Sequence, residues 1–282
     1  MLGFKVRGII ISISQRSGLE ELHSNDLKDK NMRILKKVYL NISFYAFFIS
    51  LSLVFLPTLG SLIVIMALFL PKRQILRRLR RAIQWYGAVI IRILPFPLVR
   101  LNYKDSSKGN LAGPYLYVCN HRSAIDPFLM AIIPYEGIQV VNIWPFRIPA
   151  LGIIAKLGGY LSVREMPFTE FMQRACKLLA EGVSMVTFPE GTRSRDNSLG
   201  QFNSAIFRVA LETRCPIVPL CITGNELVLS VGSGVLNPGE IKIHKLSAIT
   251  WDEYQSLSSF QLKNHVRDII AKETMLMDQG KV

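Results

Sequence analysis

The sequence predicts an α/β fold in which a mostly parallel sheet is flanked by helices, with an N-terminal apolar helical hairpin for membrane anchoring. Short apolar runs of strand length alternate with helical repeats from about residue 99 onward, and this alternation is typical of a parallel sheet. Upstream, residues 38–70 contain no charged side chain, and such a run is long enough to enter a bilayer. The expected organisation is an N-terminal arm at 1–37, a membrane anchor with a basic amphipathic helix at 38–98 and a globular domain at 99–282.

Composition narrows the class of protein. The chain has 282 residues, 50% of them hydrophobic, and a formal net charge of +14. Such a charge attracts polyanions, and therefore favours either nucleic acid or an anionic membrane surface. No zinc-finger spacing, RNA-recognition signature or leucine zipper occurs in the sequence. Because the long apolar run adjoins the densest basic cluster, anionic lipid head groups are the favoured partner.

The apolar run is predicted to form two helices, at about 40–56 and 60–70, because Pro57 and Gly60 punctuate it. The second helix is too short to cross a bilayer. Basic residues flank the run on both sides, and the positive-inside rule then places both flanks in the cytoplasm. A hairpin dipping into one leaflet satisfies this pattern, and a single spanning helix is the alternative. The flanking cations are Lys36, Lys37, Lys72, Arg73, Arg77, Arg78, Arg80 and Arg81.

The segment 71–98 is predicted to be a basic amphipathic helix, since Ile75, Leu79 and Tyr86 recur at helical spacing with arginines between them. Such a helix suits an anionic bilayer surface, or packs on a core with a solvated basic face. The globular domain follows. Its predicted strands lie at 115–119, 138–142, 160–163, 184–188, 217–222 and 240–246, and its predicted helices at 127–133, 149–157, 168–181, 203–213 and 260–273.

The first motif, Asn-His-Arg-Ser-Ala-Ile-Asp at 120–126, follows a predicted strand, where the chemistry of a parallel sheet collects. Asp126 precedes Pro127 and is expected to begin a helix as its N-cap, which brings the carboxylate near His121. The carboxylate would fix the tautomer while the other ring nitrogen takes a proton. The pair corresponds to the two supporting members of a catalytic triad without its nucleophilic serine, so the nucleophile would be a substrate hydroxyl. The alternative is that Asp126 only caps the helix.

The other histidines offer no comparable setting, so His121 is the candidate base. Neither a second histidine nor a cysteine accompanies it at metal-ligand spacing, which disfavours a metal site. The sequence also lacks a nucleophile elbow, a P-loop and a dinucleotide fingerprint. These absences remove the usual support for serine hydrolysis, nucleotide hydrolysis and dinucleotide redox chemistry. The remaining histidines are His23, His244 and His265.

The second motif, Phe-Pro-Glu-Gly-Thr-Arg-Ser-Arg at 188–195, also follows a predicted strand. Gly191 allows a sharp turn, Thr192 can donate a hydrogen bond, and the arginines offer planar forks suited to phosphate. Glu190 could bind a substrate hydroxyl or hold an arginine. A polar surface turn is the alternative. A third predicted strand ends in another arginine, Arg164, and the motif arginines are Arg193 and Arg195.

Four short blocks in order resemble the glycerolipid acyltransferases, and among them the 1-acylglycerol-3-phosphate O-acyltransferases. They are Asn-His-x4-Asp, Gly-x4-Arg, Phe-Pro-Glu-Gly-Thr-Arg-Ser and Val-Pro-Leu, within roughly residues 95–250. The resemblance implies that His121 is the general base, that Asp126 orients it, and that the acceptor hydroxyl attacks an acyl-CoA or acyl carrier protein thioester. It also implies a glycerol-phosphate site formed by Glu190, Gly191, Thr192 and Arg193, with Arg164 assisting.

The same resemblance makes 99–282 an acyltransferase domain for phospholipid biosynthesis, needing no metal or cofactor beyond the thioester. It implies a membrane lipid environment, a lysophospholipid acceptor and the cytoplasmic face of a membrane, which is the inner membrane in a bacterium. One departure concerns the acceptor: a lysine common in the family is replaced by Asn142, with Arg147 nearby. Another lysolipid or a hydroxylated lipid is therefore an alternative acceptor. A non-catalytic membrane-binding protein is a further alternative, which the intact His121 and Asp126 disfavour.

Overall fold

The computed structural model describes residues 3–93, 95–107, 113–133, 136–141, 151–194 and 198–281, with only the backbone described for 3–24 and 151. The strands are β1 (Val99–Asp105), β2 (Leu116–Cys119), β3 (Gly137–Val140), β4 (Ser184–Thr187), β5 (Ile217–Thr223) and β6 (Gly239–Lys245). The helices are α1 (Gly3–Phe69), α2 (Lys72–Arg92), α3 (Asp126–Leu129), α4 (Leu151–Leu157), α5 (Phe168–Ala180), α6 (Ala205–Thr213), α7 (Asn225–Val228), α8 (Trp251–Tyr254) and α9 (Ser259–Asp278).

The six strands form one sheet in the order β1-β6-β5-β2-β4-β3. Every neighbouring pair is parallel except β5 and β6. The mostly parallel sheet predicted from the sequence is therefore confirmed. Strands β2, β4 and β5 are buried at every position, as expected where helices cover both faces of a sheet.

Each face of the sheet carries its own apolar core. One core contains Phe171 of α5, Phe207 of α6 and Val266 of α9. The other contains Leu40 of α1 and Tyr86 of α2. The domain consequently has three layers, with α5, α6 and α9 on one face of the sheet and α1, α2 and α3 on the other.

The predicted strand at 160–163 is wrong, since only Leu161 pairs, with Val140. The amide of Tyr160 donates to the carbonyl of Ala155, and a turn begins at Val163, so little chain is left to extend. The other predicted strands and helices exist within a few residues of their expected ends. Within the described residues, the elements not predicted are β1, the short helices α7 and α8, and the part of α1 that runs through the N-terminal arm before residue 38. The start of the predicted helix at 149–157 falls partly outside the described residues.

The prediction of two apolar helices separated near Pro57 is also wrong, because α1 continues through that residue to Phe69. The hydroxyl of Thr58 donates to the carbonyl of Val54 at 2.7 Å, and apolar helix-forming residues continue on both sides. A proline inside a helix costs about 3 kcal/mol, which the packing of α1 against α2 helps to offset.

The turn of the hairpin lies instead at Leu70 and Pro71, and α2 returns along α1. Phe55 stacks on Tyr86 with 4.7 Å between ring centroids, and the hydroxyls of Ser52 and Tyr86 lie 2.7 Å apart. The basic amphipathic helix is therefore the second arm of the hairpin, with its apolar side in the core. Residues 25–69 of α1 are long and apolar enough to cross a membrane, judged by length and composition.

Candidate active site

The two sequence motifs meet at one edge of the sheet. Strands β2 and β4 are parallel neighbours, with Val118 opposite Thr187, and each motif begins just after its strand. Because both strands end at the same edge, the turns carrying His121 and Glu190 lie side by side. The amide of His121 donates to Oε1 of Glu190 at 2.7 Å, and the amide of Ser194 donates to the carbonyl of His121 at 2.9 Å.

The predicted pair of His121 and Asp126 forms, with 2.8 Å between Nδ1 and Oδ2. The side chain of Asp126 is fully buried, and that of His121 is 17% exposed. When the neutral imidazole donates from Nδ1 to this carboxylate, Nε2 is the ring nitrogen that carries the lone pair. Among the described residues Nε2 has no hydrogen-bond partner, and the ring packs on Phe188 at 4.6 Å between centroids.

Asp126 is not the N-cap that the sequence analysis expected. It is the first residue of α3, Ile125 occupies the cap position, and no side chain caps that helix. Its Oδ2 accepts instead from the backbone amides of Arg122 and Ser123, both at 2.9 Å. The carboxylate thus folds the loop back on itself, and the alternative that Asp126 only caps a helix is wrong.

Asn225 completes the surroundings of Asp126 and was missed by the sequence analysis. It is fully buried at the end of β5, and its Nδ2 donates to Oδ1 of Asp126. Gly224 precedes it with φ at +79°, and a Cβ there would collide with the carbonyl oxygen of Glu240. Only glycine suits that turn. The sequence signal that could have indicated Asn225 is its position as a polar residue shortly after β5, the strand next to β2.

Asn120 and Arg122 fix the rest of the loop. Asn120 is buried and exchanges two hydrogen bonds of 2.8 Å with the backbone of Ile222, extending the contact between β2 and β5. Arg122 is buried and donates to both carboxylate oxygens of Asp278 at the end of α9, at 3.0 and 2.9 Å. Burial alone would lower the pKa of Arg122, but Asp278, with Glu226 and Glu190, raises it above its ordinary value. Nothing near Arg122 in the sequence indicates that partner.

Glu190 supports the loop of His121 rather than an arginine. While its Oε1 accepts from the amide of His121, its Oε2 accepts from the amide of Gly200 at 2.9 Å. Burial raises the pKa of the Glu190 carboxyl above its ordinary value, and these two amides, with the charges of His121 and Arg122, oppose that rise. Among the described residues Glu190 makes no hydrogen bond or ion pair to an arginine, so that predicted alternative is not observed. Both carboxylate oxygens are already engaged, so substrate binding by Glu190 would have to share them.

A polar cavity of about 700 Å³ opens in front of His121. Gly191 turns there with φ at +70°, Arg193 is half-buried, and Thr192 and Arg164 are exposed. The structure therefore brings the predicted residues together around one space, with Asp126 behind the histidine. Arg195, Asn142 and Arg147 lie outside the described residues. The wall of the cavity includes His121, Arg164, Glu190, Gly191, Thr192 and Arg193.

A second cavity, of about 190 Å³ and largely apolar, adjoins the first. Pro127, Gln139 and Val141 line both of them. The apolar cavity runs between the sheet and α2, where Tyr86 and Gly87 form part of its wall. A long hydrocarbon chain in this space could place its polar end at His121.

His244 corrects another expectation, because it too has a carboxylate partner. Its Nδ1 lies 2.6 Å from Oε1 of Glu273, and its Nε2 lies 2.7 Å from the hydroxyl of Ser106. His244 lies on β6, Ser106 follows β1 and Glu273 lies on α9, so this chain of three side chains is distant in sequence from the two motifs. For metals, the described part of the chain contains no group of three His, Cys, Asp or Glu side chains arranged to hold an ion.

Comparison with known proteins shows which proteins this chain resembles. Residues 100–223 match the family model described as Acyltransferase. A chloroplastic 1-acyl-sn-glycerol-3-phosphate acyltransferase of Brassica napus is 32% identical over 200 residues, which are 65% of this chain and 56% of that protein. A chloroplastic enzyme of the same description from Arabidopsis thaliana is 33% identical over 138 residues, 47% of this chain and 39% of that protein. The chain thus spans about half the length of these curated relatives.

A solved structure supports the fold. The crystal structure of the 1-acyl-sn-glycerophosphate acyltransferase PlsC from Thermotoga maritima superposes with a TM-score of 0.70 at 18% identity. The superposition covers 87% of this chain and 98% of that one. The two chains therefore share their overall fold over most of their lengths.

Proposed function

We propose that this chain, whose residues 100–223 match the Acyltransferase family model, is a membrane-bound O-acyltransferase. It moves an acyl group from acyl-CoA or acyl carrier protein to the hydroxyl of 1-acylglycerol-3-phosphate, giving phosphatidic acid for phospholipid biosynthesis. One observation carries the proposal: Nε2 of His121 faces a cavity with arginines on its wall, and an apolar cavity adjoins it. The descriptions of the curated relatives support this acceptor.

The geometry suits base catalysis by His121. Its Nε2 takes the proton of the acceptor hydroxyl as that oxygen attacks the thioester carbonyl. The tetrahedral intermediate collapses, the C–S bond breaks, the new C–O ester bond remains, and the proton passes from Nε2 to the departing thiolate. Asp126, held by two backbone amides and Asn225, stabilises the imidazolium in between. The chemistry requires no metal.

The acceptor phosphate is assigned to the arginine side of the polar cavity. Arg193 and Arg164 offer guanidinium forks there, and Thr192 offers a hydroxyl. Glu190 contributes by holding the amide of His121. In this arrangement the phosphate binds beside the base, so that the glycerol hydroxyl reaches Nε2.

The acyl chain of the thioester is assigned to the apolar cavity. That cavity meets the polar one at Pro127, Gln139 and Val141, so the carbonyl of a chain lying in it would reach His121. Each buried methylene contributes about 0.8 kcal/mol, which favours a chain that fills the space. The chemistry then takes place where the two cavities join.

The N-terminal segment supports a location at the cytoplasmic face of a membrane. The hairpin of α1 and α2 carries large exposed apolar side chains, among them Leu53, Leu68 and Phe69. The proposed organisation is the arm at 1–37, the anchor at 38–98 and the acyltransferase domain at 99–282. Basic residues on both flanks of the uncharged run support the cytoplasmic side.

A direct assay tests the proposal. The purified full-length chain receives acyl-CoA or acyl carrier protein thioester with a panel of lysolipids, and the products are identified by mass. We expect phosphatidic acid from 1-acylglycerol-3-phosphate. Acylation of a different lysolipid or of a hydroxylated lipid instead would reassign the acceptor. A protein that forms no ester with any acceptor would contradict the enzyme assignment.

Arg193 tests the phosphate assignment. We expect Arg193→Ala to raise the KM of the acceptor about tenfold or more and to change the KM of the thioester much less, because a charged hydrogen bond to phosphate is lost. Arg208→Ala is the matched control, since Arg208 lies on the exposed side of α6 and packs on Phe168. Equal effects of Arg193→Ala on both substrates would reassign this arginine.

A further inference from the structure

A second charged cleft lies at the edge of the sheet opposite the active site. It measures about 690 Å³ and adjoins Glu136, which precedes β3, and Val183, which precedes β4. His121 follows the other end of β2, so the two sites are separated by the length of the strands. Two carboxylates and six cations line the cleft: Glu136, Glu181, Lys72, Arg73, Arg80, Lys156, Arg174 and Lys177.

Arg80 is a buried cation of this cleft that is held in place by hydrogen bonds. Its side chain is 4% exposed, its Nε donates to the carbonyl of Gly158 at 2.9 Å, and its Nη1 donates to Glu136 at 2.7 Å. Its Nη2 makes no hydrogen bond to the described residues. A Cβ at Gly159 would stand 3.1 Å from that nitrogen, so Gly159 leaves room beside it. This nitrogen is therefore free to donate a hydrogen bond to an acceptor in the cleft, from a side chain that its other two bonds already hold in place.

The carboxylates do not balance the other cations. Glu136 is shared between Arg77 and Arg80. Arg73 donates to the backbone carbonyl of Glu181 rather than to a carboxylate. Lys72 and Lys177 have no carboxylate within ion-pair distance among the described residues. Arg174 pairs with Glu170, but the remaining cations leave the cleft positive, and the N-terminus of α2, which no side chain caps, lies at the same place.

We propose that this cleft binds the phosphate group of an anionic membrane lipid. Planar guanidinium forks and lysines around one space suit a phosphate. The neighbouring surface identifies the source of that phosphate as a lipid. Leu68 and Phe69, at the end of α1, are 75% and 78% exposed and come a few residues before Lys72, so acyl chains would find an apolar surface beside the charge.

The consequence is a second attachment of the protein to the bilayer. The apolar hairpin supplies affinity for any membrane, and the cleft adds selectivity for leaflets that carry phosphate head groups. This site lies outside the acyltransferase cavity, so its ligand need be neither substrate nor product in the reaction.

Native mass spectrometry of the full-length chain in a neutral detergent tests the proposal. The probes are dioleoyl phosphatidic acid, dioleoyl phosphatidylcholine and inorganic phosphate. We expect phosphatidic acid to bind, and K72Q/K177Q to weaken that binding about thirtyfold, as for the loss of two lysines near a lipid phosphate. The matched control is R78Q/R81Q, which removes two exposed charges of α2 that do not line the cleft.

Two further arms separate this site from the active site and from soluble anions. R193A, which alters the proposed acceptor site, should retain the phosphatidic acid that K72Q/K177Q loses. Loss in R193A alone, equal binding in all variants, or equal binding of phosphatidylcholine overturns the proposal. Inorganic phosphate that binds as tightly as the lipid overturns the assignment to a lipid source. Acyl transfer by K72Q/K177Q in detergent should stay normal, so failure of this proposal leaves the proposed function untouched.

Discussion

His121 and His244 each hold a carboxylate at Nδ1, at 2.8 Å from Asp126 and at 2.6 Å from Glu273. Both rings are mostly buried, with side chains 17% and 8% exposed. The two pairs differ at the other ring nitrogen. Nε2 of His121 faces a cavity, whereas Nε2 of His244 is bonded to the hydroxyl of Ser106. A histidine with an orienting carboxylate therefore becomes available as a base only where its second nitrogen is left open to a substrate.

Helix α9 contributes to both pairs. Glu273 is its residue that contacts His244, and Asp278 at its end binds Arg122 in the loop of His121. At His244 the helix supplies the carboxylate itself. At His121 the helix acts indirectly, because its Asp278 binds Arg122, the residue that follows His121. The same helix thus supplies the carboxylate partner of His244 and stabilises the loop that carries His121.

Removing each imidazole in turn is the strongest test of the difference between His121 and His244. We expect His121→Ala to lower kcat by about 10²–10⁴, the usual range for loss of a general base. His244→Ala should leave acyl transfer per folded molecule within about threefold of normal, because its Nε2 is already bonded to the hydroxyl of Ser106. Steady-state transfer of a labelled acyl chain measures both. Near-normal transfer by His121→Ala, or equal losses in the two variants, would contradict the assignment.

Removing one negative charge comes next. Asp126→Asn should lower kcat by about 10²-fold or more, because the imidazolium loses its counter-charge. The loop should persist, since Oδ1 of Asn225 has no partner and can turn toward the new amide. Measured kcat together with an unfolding curve separates the two effects. A variant that loses stability and activity in parallel would show that Asp126 only holds the loop.

Substitution of Glu190, which accepts a hydrogen bond from the amide of His121, is expected to lower kcat less. Glu190→Gln leaves an amide group facing one of the two backbone amides that the carboxylate now accepts from, at His121 or Gly200. We expect kcat to fall about tenfold, for a loss of roughly 1–2 kcal/mol in positioning, with the KM of the acceptor little changed. A rise in the acceptor KM at constant kcat would instead make Glu190 a ligand of the substrate.

The smallest effect on activity is expected at the pair of His244 and Glu273, where both ring nitrogens of the histidine have a partner. Glu273→Gln should leave kcat unchanged and lower the free energy of unfolding by about 1–2 kcal/mol, because a hydrogen bond to a charged group is weakened in a buried place. Chemical denaturation measures the change. Asp278→Asn is the matched comparison on the same helix, and any loss of kcat confined to it would trace support of the His121 loop to α9.

The sequence predicted the parts of the site that local geometry controls. His121 and Asp126 are five residues apart on one turn, and the two motifs follow neighbouring strands of a parallel sheet. Asn225 and Asp278 were not predicted because their partners lie 99 and 156 residues away in the chain. The helix break predicted at Pro57 was wrong for a related reason. A proline is a weak signal for a helix end where apolar helix-forming residues continue on both sides and a second helix packs against the first.

The backbone of His121 is held on both sides by the second motif, its amide by Glu190 and its carbonyl by the amide of Ser194. These bonds tie the lengths of two distant loops together. An inserted or deleted residue between Glu190 and Ser194 would displace the imidazole as well as the arginine, although the insertion lies some 70 positions further along the chain. Among homologous chains, changes of loop length should therefore accumulate beyond Ser194 and avoid the segment 190–194.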